Sequence, residues 1–126
     1  MNDEQYRVHC LEQLSNFAGF MRRQCEETSQ EDPLRALSDG FDAIASGDGL
    51  YEDGPEVIMR LFTSCPQFAP FFPREILWFL GGDCLHVMPD VEIDIYQQLE
   101  EMRLEYAARG EIMNYVEARA KLLKSQ

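Results

Sequence analysis

The stretch Asp90–Lys124, DVEIDIYQQLEEMRLEYAARGEIMNYVEARAKLLK, decides how the chain is read. Within it Ile95, Leu99, Met102, Tyr106, Arg109, Met113, Val116, Ala120 and Leu123 follow one another at intervals of four and three. Eight of those nine positions are apolar or aromatic, and such spacing lays a narrow apolar seam along one side of a helix. An unbroken helix over this stretch would be about 50 Å long. A compact fold of this chain length is only roughly 36 Å across. The helix would overshoot its own domain, so Ile95, Leu99, Met102, Tyr106, Met113, Val116 and Leu123 are read as the seam of a homodimer. Gly110 is the weak link, because glycine inside a helix costs about 1 kcal/mol relative to alanine. The apolar phase carries across it, and Arg109-Gly110-Glu111 barely offers the loop of about two to five residues that a reversal needs. The expectation is a continuous or gently kinked C-terminal helix.

Upstream, the sequence is a series of helices punctuated by proline and glycine. Leu11, Leu14, Ala18, Met21 and Cys25 form the apolar stripe of a first helix over about residues 3–26. Asp32-Pro33 opens a second, since aspartate accepts the free N–H groups of a first turn and proline loses nothing at the first helical position. Its face is Leu34, Leu37, Phe41 and Ile44, and Gly47-Asp48-Gly49 closes it. Gly54-Pro55 is read as the start of a third, ended by Pro66. Pro73 begins a fourth through about Val87, apolar nearly all round and therefore central. The expected fold is all-α: one domain over residues 1–126, a bundle of five or six helices with a long C-terminal helix.

Composition narrows the function. The net charge is −12, which argues against direct nucleic-acid binding because phosphates demand basic patches. No apolar run reaches the ~18 residues of a membrane helix, and Met1-Asn2-Asp3-Glu4 lacks the basic start of a secretory signal. A cytoplasmic location is expected. Cys10, Cys25, Cys65 and Cys84 make no Cys-x-x-Cys pair and read as reduced, buried thiols. Acidic residues crowd one region: Glu31, Asp32, Asp39, Asp42, Asp48, Glu52, Asp53 and Glu56 lie within residues 26–56, where Arg35 is the one base. They form either a solvated face or a docking surface for an unidentified, basic protein partner.

The densest segment is PREILWFLGGDCLH, Pro73–His86. Its Gly81-Gly82 pair reads as a close helix crossing or as a break exposing backbone to a ligand. Asp83 and His86 are three apart, a spacing that holds a metal in helical carboxylate proteins, and His9 with Glu12 repeats it in reverse. Phe68, Phe71, Phe72, Trp78 and Phe79 suit a core or a small-molecule pocket. No phosphate loop, nucleophile elbow or His-Glu-x-x-His is present, and no cofactor is implied. With the following Met88-Pro89-Asp90, the segment resembles the core motif of an uncharacterised family of small acidic bacterial proteins. That resemblance covers residues 73–90, implies a bacterial cytoplasmic protein, and transfers no catalytic residue. Two functions are expected in order: a small acidic interaction module without catalysis, regulator or adaptor, then a metal-binding bundle or metal-dependent enzyme built on Asp83 and His86.

Overall fold

The fold was analysed in a computed structural model, which describes residues 1–26 and 32–124, the side chain of Asp83 excepted. The architecture is all-α, as expected. Six α-helices follow in order: α1 (Asp3–Gln24), α2 (Pro33–Ala45), α3 (Leu50–Ser64), α4 (Arg74–Leu80), α5 (Asp90–Ala108) and α6 (Tyr115–Lys124). Two 3-10 stretches, Pro66–Phe71 and Gly82–Val87, flank α4. No described helix is long and apolar enough to cross a membrane.

The chain divides into two compact units. The central unit is His9–His86, and the terminal unit is Met1–Val8 with Val87–Gln126. In the central unit α1 buries Cys10, Leu14, Phe17, Ala18, Met21 and Cys25, one face at helical spacing. Phe17 sits edge-on to both Phe41 of α2 and Phe72, with ring centroids 5.0 Å apart in each case. Such pairs add about 0.5–1.5 kcal/mol beyond the area they bury. The Asp32 carboxylate caps α2 as expected, accepting the Leu34 N–H at 2.9 Å.

Three boundaries differ from the sequence reading. Helix α3 begins at Leu50 rather than at Gly54-Pro55. Gly49, at φ +65°, turns the chain into α3, and Pro55 sits in its second turn, where it forgoes one backbone bond. Helix α4 stops at Leu80 rather than near Val87. There a Cβ on Gly54 would lie 3.2 Å from Leu80 Cδ1, and one on Gly81 would run into the Leu77 carbonyl oxygen. Gly54 thus admits Leu80, and the glycine pair ends α4.

The third difference is the largest. The C-terminal helix is not continuous, because α5 ends at Ala108 and α6 starts at Tyr115. The Glu111 N–H bonds the Tyr106 carbonyl at 2.8 Å, and the Gly110 N–H bonds that of Ala107 at 3.0 Å. With Gly110 at φ +73°, this is a Schellman termination, which only glycine adopts without strain. Asn114 then opens α6, its side-chain oxygen accepting the Glu117 N–H at 3.2 Å. Helix α6 packs back on α5 and helps bury Met113 and Tyr115.

Within the terminal unit Arg103 is buried at 6% exposure. Its Nη2 and Nε donate to the two Glu100 oxygens at 2.7 and 3.1 Å, and Nη1 donates to Asp3 at 2.6 Å. The guanidinium also lies 5.4 Å from the centroid of the Tyr6 ring, a favourable cation–π position. These hydrogen bonds, above all those to Glu100, raise its pKa well beyond its already high value.

Candidate functional site

The acidic surface expected from the sequence is built on α2, α3 and their connection. Asp39, Asp48, Glu52, Asp53 and Glu56 are exposed. Asp32 and Asp42 are half-buried and engaged, the first as the α2 cap and the second paired with Arg22. Glu31 lies outside the described residues. Glu52, Glu56 and Met59 follow at four and three on α3 and so share a face, with Met59 39% exposed and Tyr51 beside them 58% exposed.

The homodimer seam does not lie along one helix, since Gly110 divides it. Ile95, Leu99 and Met113 are buried inside the protomer, Met102 and Tyr106 are half-buried, and Val116 and Leu123 remain exposed. The α5 part of the seam is therefore turned into the protomer, while its α6 part is not. The Asp83–His86 pair falls on the 3-10 stretch Gly82–Val87, with His86 exposed. The side chain of Asp83 lies outside the described residues. Among those described, no three His, Cys, Asp or Glu gather to hold a metal. His9 turns toward Glu75 rather than sharing a site with Glu12.

Glu75 is the residue that sequence reasoning missed. It stands in the first turn of α4, where the helix dipole favours a carboxylate, yet it is only 1% exposed. His9 Nε2 lies 2.9 Å from its Oε1, and the Gln13 amide nitrogen lies 2.9 Å from the same oxygen. The third side of this triangle, Gln13 nitrogen to His9 Nε2, is 3.1 Å. A carboxylate oxygen accepts from both nitrogens only if each presents a hydrogen to it. That places the proton of His9 on Nε2 and points the NH₂ of Gln13 at Glu75. A buried carboxylate needs such donors, for an unpaired one costs several kcal/mol.

Gln13 also lines an open recess of about 340 Å³ with Asn16, Phe17, Phe20, Phe71 and Pro73. Positions 13, 16, 17 and 20 form one stripe of α1. Phe71, held between Pro70 and Pro73, is 62% exposed. Its ring lies 5.0 Å from that of Phe20 at a tilt of 33°.

Of the five aromatics singled out in the sequence, Phe72 is core, while Phe68, Trp78 and Phe79 are half-buried and Phe71 is exposed. Over its whole length, residues 1–126, the sequence matches the model of one protein family, PA2817-like. The chain belongs to the PA2817-like family. The match bears out the resemblance to an uncharacterised family seen in residues 73–90. No curated protein and no solved structure matches.

One more cavity of this PA2817-like chain, of about 430 Å³, is bordered by Leu34, Leu37, Arg60, Ser64, Cys65 and Gln67, among others. Burial pushes the Cys65 thiol up, and Asp32 and Cys25 add to the shift. A thiol held neutral is a poor nucleophile.

Proposed function

We propose that this protein is a small acidic interaction module, a regulator or adaptor that works by binding a basic protein partner rather than by catalysis. The observation that carries the reading is the outer side of α3, where Glu52, Glu56 and Met59 share an exposed face and Tyr51 is exposed near its start. Exposed apolar side chains among charged ones suit a protein interface. Residues 32–64 hold seven carboxylates against Arg35 and Arg60, a local field that speeds capture of a cationic partner. The triple variant Asp39→Lys, Glu52→Lys, Glu56→Lys tests it. Affinity capture across a salt series is expected to show partners that the native protein holds at low salt and the variant releases. Equal retention by both proteins at every salt concentration sinks the reading.

Self-association belongs to the same proposal. Val116, Ala120 and Leu123 line an exposed stripe of α6 at spacings of four and three, which suits packing on a second copy. Native mass spectrometry is expected to show a dimer that Val116→Glu converts to a folded monomer. A native protein that is already monomeric removes this part of the proposal. The four free, buried cysteines fit the reducing cytoplasm of a bacterium, where we place the protein.

A further inference from the structure

We propose that the recess along α1 is a binding site for a neutral, planar nitrogen heterocycle that bears an N–H donor, an aminopurine-type base. This goes beyond the interaction role, and the recess lies on residues that the acidic surface does not use.

Phe71 presents an aromatic surface to solvent at 62% exposure. Leaving a phenylalanine side chain in water forgoes the stabilisation that burying it would give. Here the ring is held rather than loose. It ends the 3-10 stretch Pro66–Phe71, and Pro70 and Pro73 flank it, each with its φ set by its own ring. Phe20 stands beside it at 5.0 Å and is braced from behind, edge-on to Phe68 at 5.9 Å and tilted against Phe17 at 5.7 Å. Two adjacent rings with fixed positions form a stacking platform, on which a planar base is held by its π-face.

The polar groups beside the platform are two carboxamides, Gln13 and Asn16. Glutamine and asparagine read the donor and acceptor edge of adenine. Gln13 is not free to turn, because its NH₂ is committed to the buried Glu75 carboxylate at 2.9 Å. What it has left to offer a ligand is its oxygen, an acceptor, and the second hydrogen of its NH₂, a donor. A ligand with an N–H beside a ring nitrogen, as an aminopurine has, meets both groups, and Asn16 adds a second carboxamide at the recess. Glu75 and His9 act here as positioning residues, since they orient Gln13 and do not line the recess.

Charge excludes the common relatives of such a base. The residues lining the recess are all uncharged, and the protein carries −12. Nothing there compensates a phosphate, so the ligand is a free base or nucleoside rather than a nucleotide. At about 340 Å³ the recess is at the small end of ligand sites, a size for one base.

The test is an NMR titration of the intact protein with adenosine. One stacked base and one amide contact support a dissociation constant of about 1 mM, so adenosine is added to about 10 mM. Shifts are expected at the side-chain amides of Gln13 and Asn16 and at the rings of Phe20 and Phe71. Purine riboside, which lacks the exocyclic amine, is expected to bind several-fold more weakly, and AMP more weakly than adenosine. Phe71→Ala is expected to lower affinity at least tenfold. Circular dichroism checks its fold, and Asn16→Asp, a change at an exposed position, gives a second loss should that variant misfold. A single-stranded oligoadenylate separates a free base from one in nucleic acid and is expected to bind no better than adenosine. Absence of shifts, shifts mapping elsewhere, unchanged affinity in both variants, or preference for AMP or the oligomer overturns the proposal.

Discussion

Among the described residues the terminal and central units each bury one charged side chain, and they satisfy it in opposite ways. In the terminal unit Arg103 is 6% exposed, but its partners reach toward water: Asp3 is 90% exposed and Glu100 31%. A long guanidinium stem lies in apolar surroundings while its fork meets carboxylates at the rim. In the central unit Glu75 is 1% exposed and its partner His9 only 17%. A short side chain cannot reach the rim, so donors must be brought inside to it. The lesson is that the partners of Arg103 reach solvent, whereas the Glu75 carboxylate is itself out of solvent and depends on donors brought to it by α1.

The sharpest way to break this comparison is Glu75→Ala. It leaves the His9 and Gln13 donors facing a void, and we expect a loss of about 3–5 kcal/mol in chemical denaturation. Arg103→Ala is expected to cost less, about 1–3 kcal/mol, since Asp3 and Glu100 regain solvent. If the order of the two is reversed, the contrast between the units fails. Gly110→Ala comes next. Its Cβ would meet nothing within 4 Å, so any cost arises from φ +73° alone, about 1 kcal/mol in the same assay. A stabilised variant would mean that α5 runs on through residue 110.

The smallest effect is expected at the surface. Phe71→Ala should change stability by no more than about 0.5 kcal/mol, because a ring so exposed contributes little to the core. The thiols sharpen the picture of the central unit from another side. Cys65, raised by burial, is expected to resist alkylation in the native protein at pH 8 and to react readily in urea. A raised thiol pKa also fixes the sign of its pH linkage. The folded state disfavours the thiolate, so stability is unaffected at neutral pH and declines as pH rises through the unfolded thiol value near 9. Denaturation midpoints at pH 7 and above 9 check this direction.

Local signals made most of the helices legible. Asp32-Pro33 marked the start of α2, and the apolar stripe of α1 marked its buried face. The break at Gly110 was legible too, in a glycine at the end of α5 and an Asn-x-x-Glu start at Asn114–Glu117. Those signals lost to a heptad phase that runs across the break. The spacing carries across the break, but the two parts of the seam face differently: Ile95 and Leu99 on α5 are buried, while Val116, Ala120 and Leu123 on α6 stay exposed. The start of α3 was misplaced because Gly54-Pro55 looks like an opening, whereas Gly54 serves the approach of Leu80.

Glu75 was not legible at all. A glutamate in the first turn of a helix after proline reads as an ordinary dipole residue facing water, and nothing near it in sequence says otherwise. Its partners stand 66 and 62 residues away on α1.

By itself the sequence determined what is local: helix class, caps, apolar stripes, net charge, the unpaired cysteines. These follow from neighbours within a few positions, where backbone geometry and side-chain spacing are set. Only the tertiary structure decided what is distant: that α6 packs back on α5, that Glu75 is buried with His9 and Gln13, and that Phe71 stands exposed beside Phe20. Such choices depend on which surfaces exclude water together, and that is a property of packed elements rather than of any one segment.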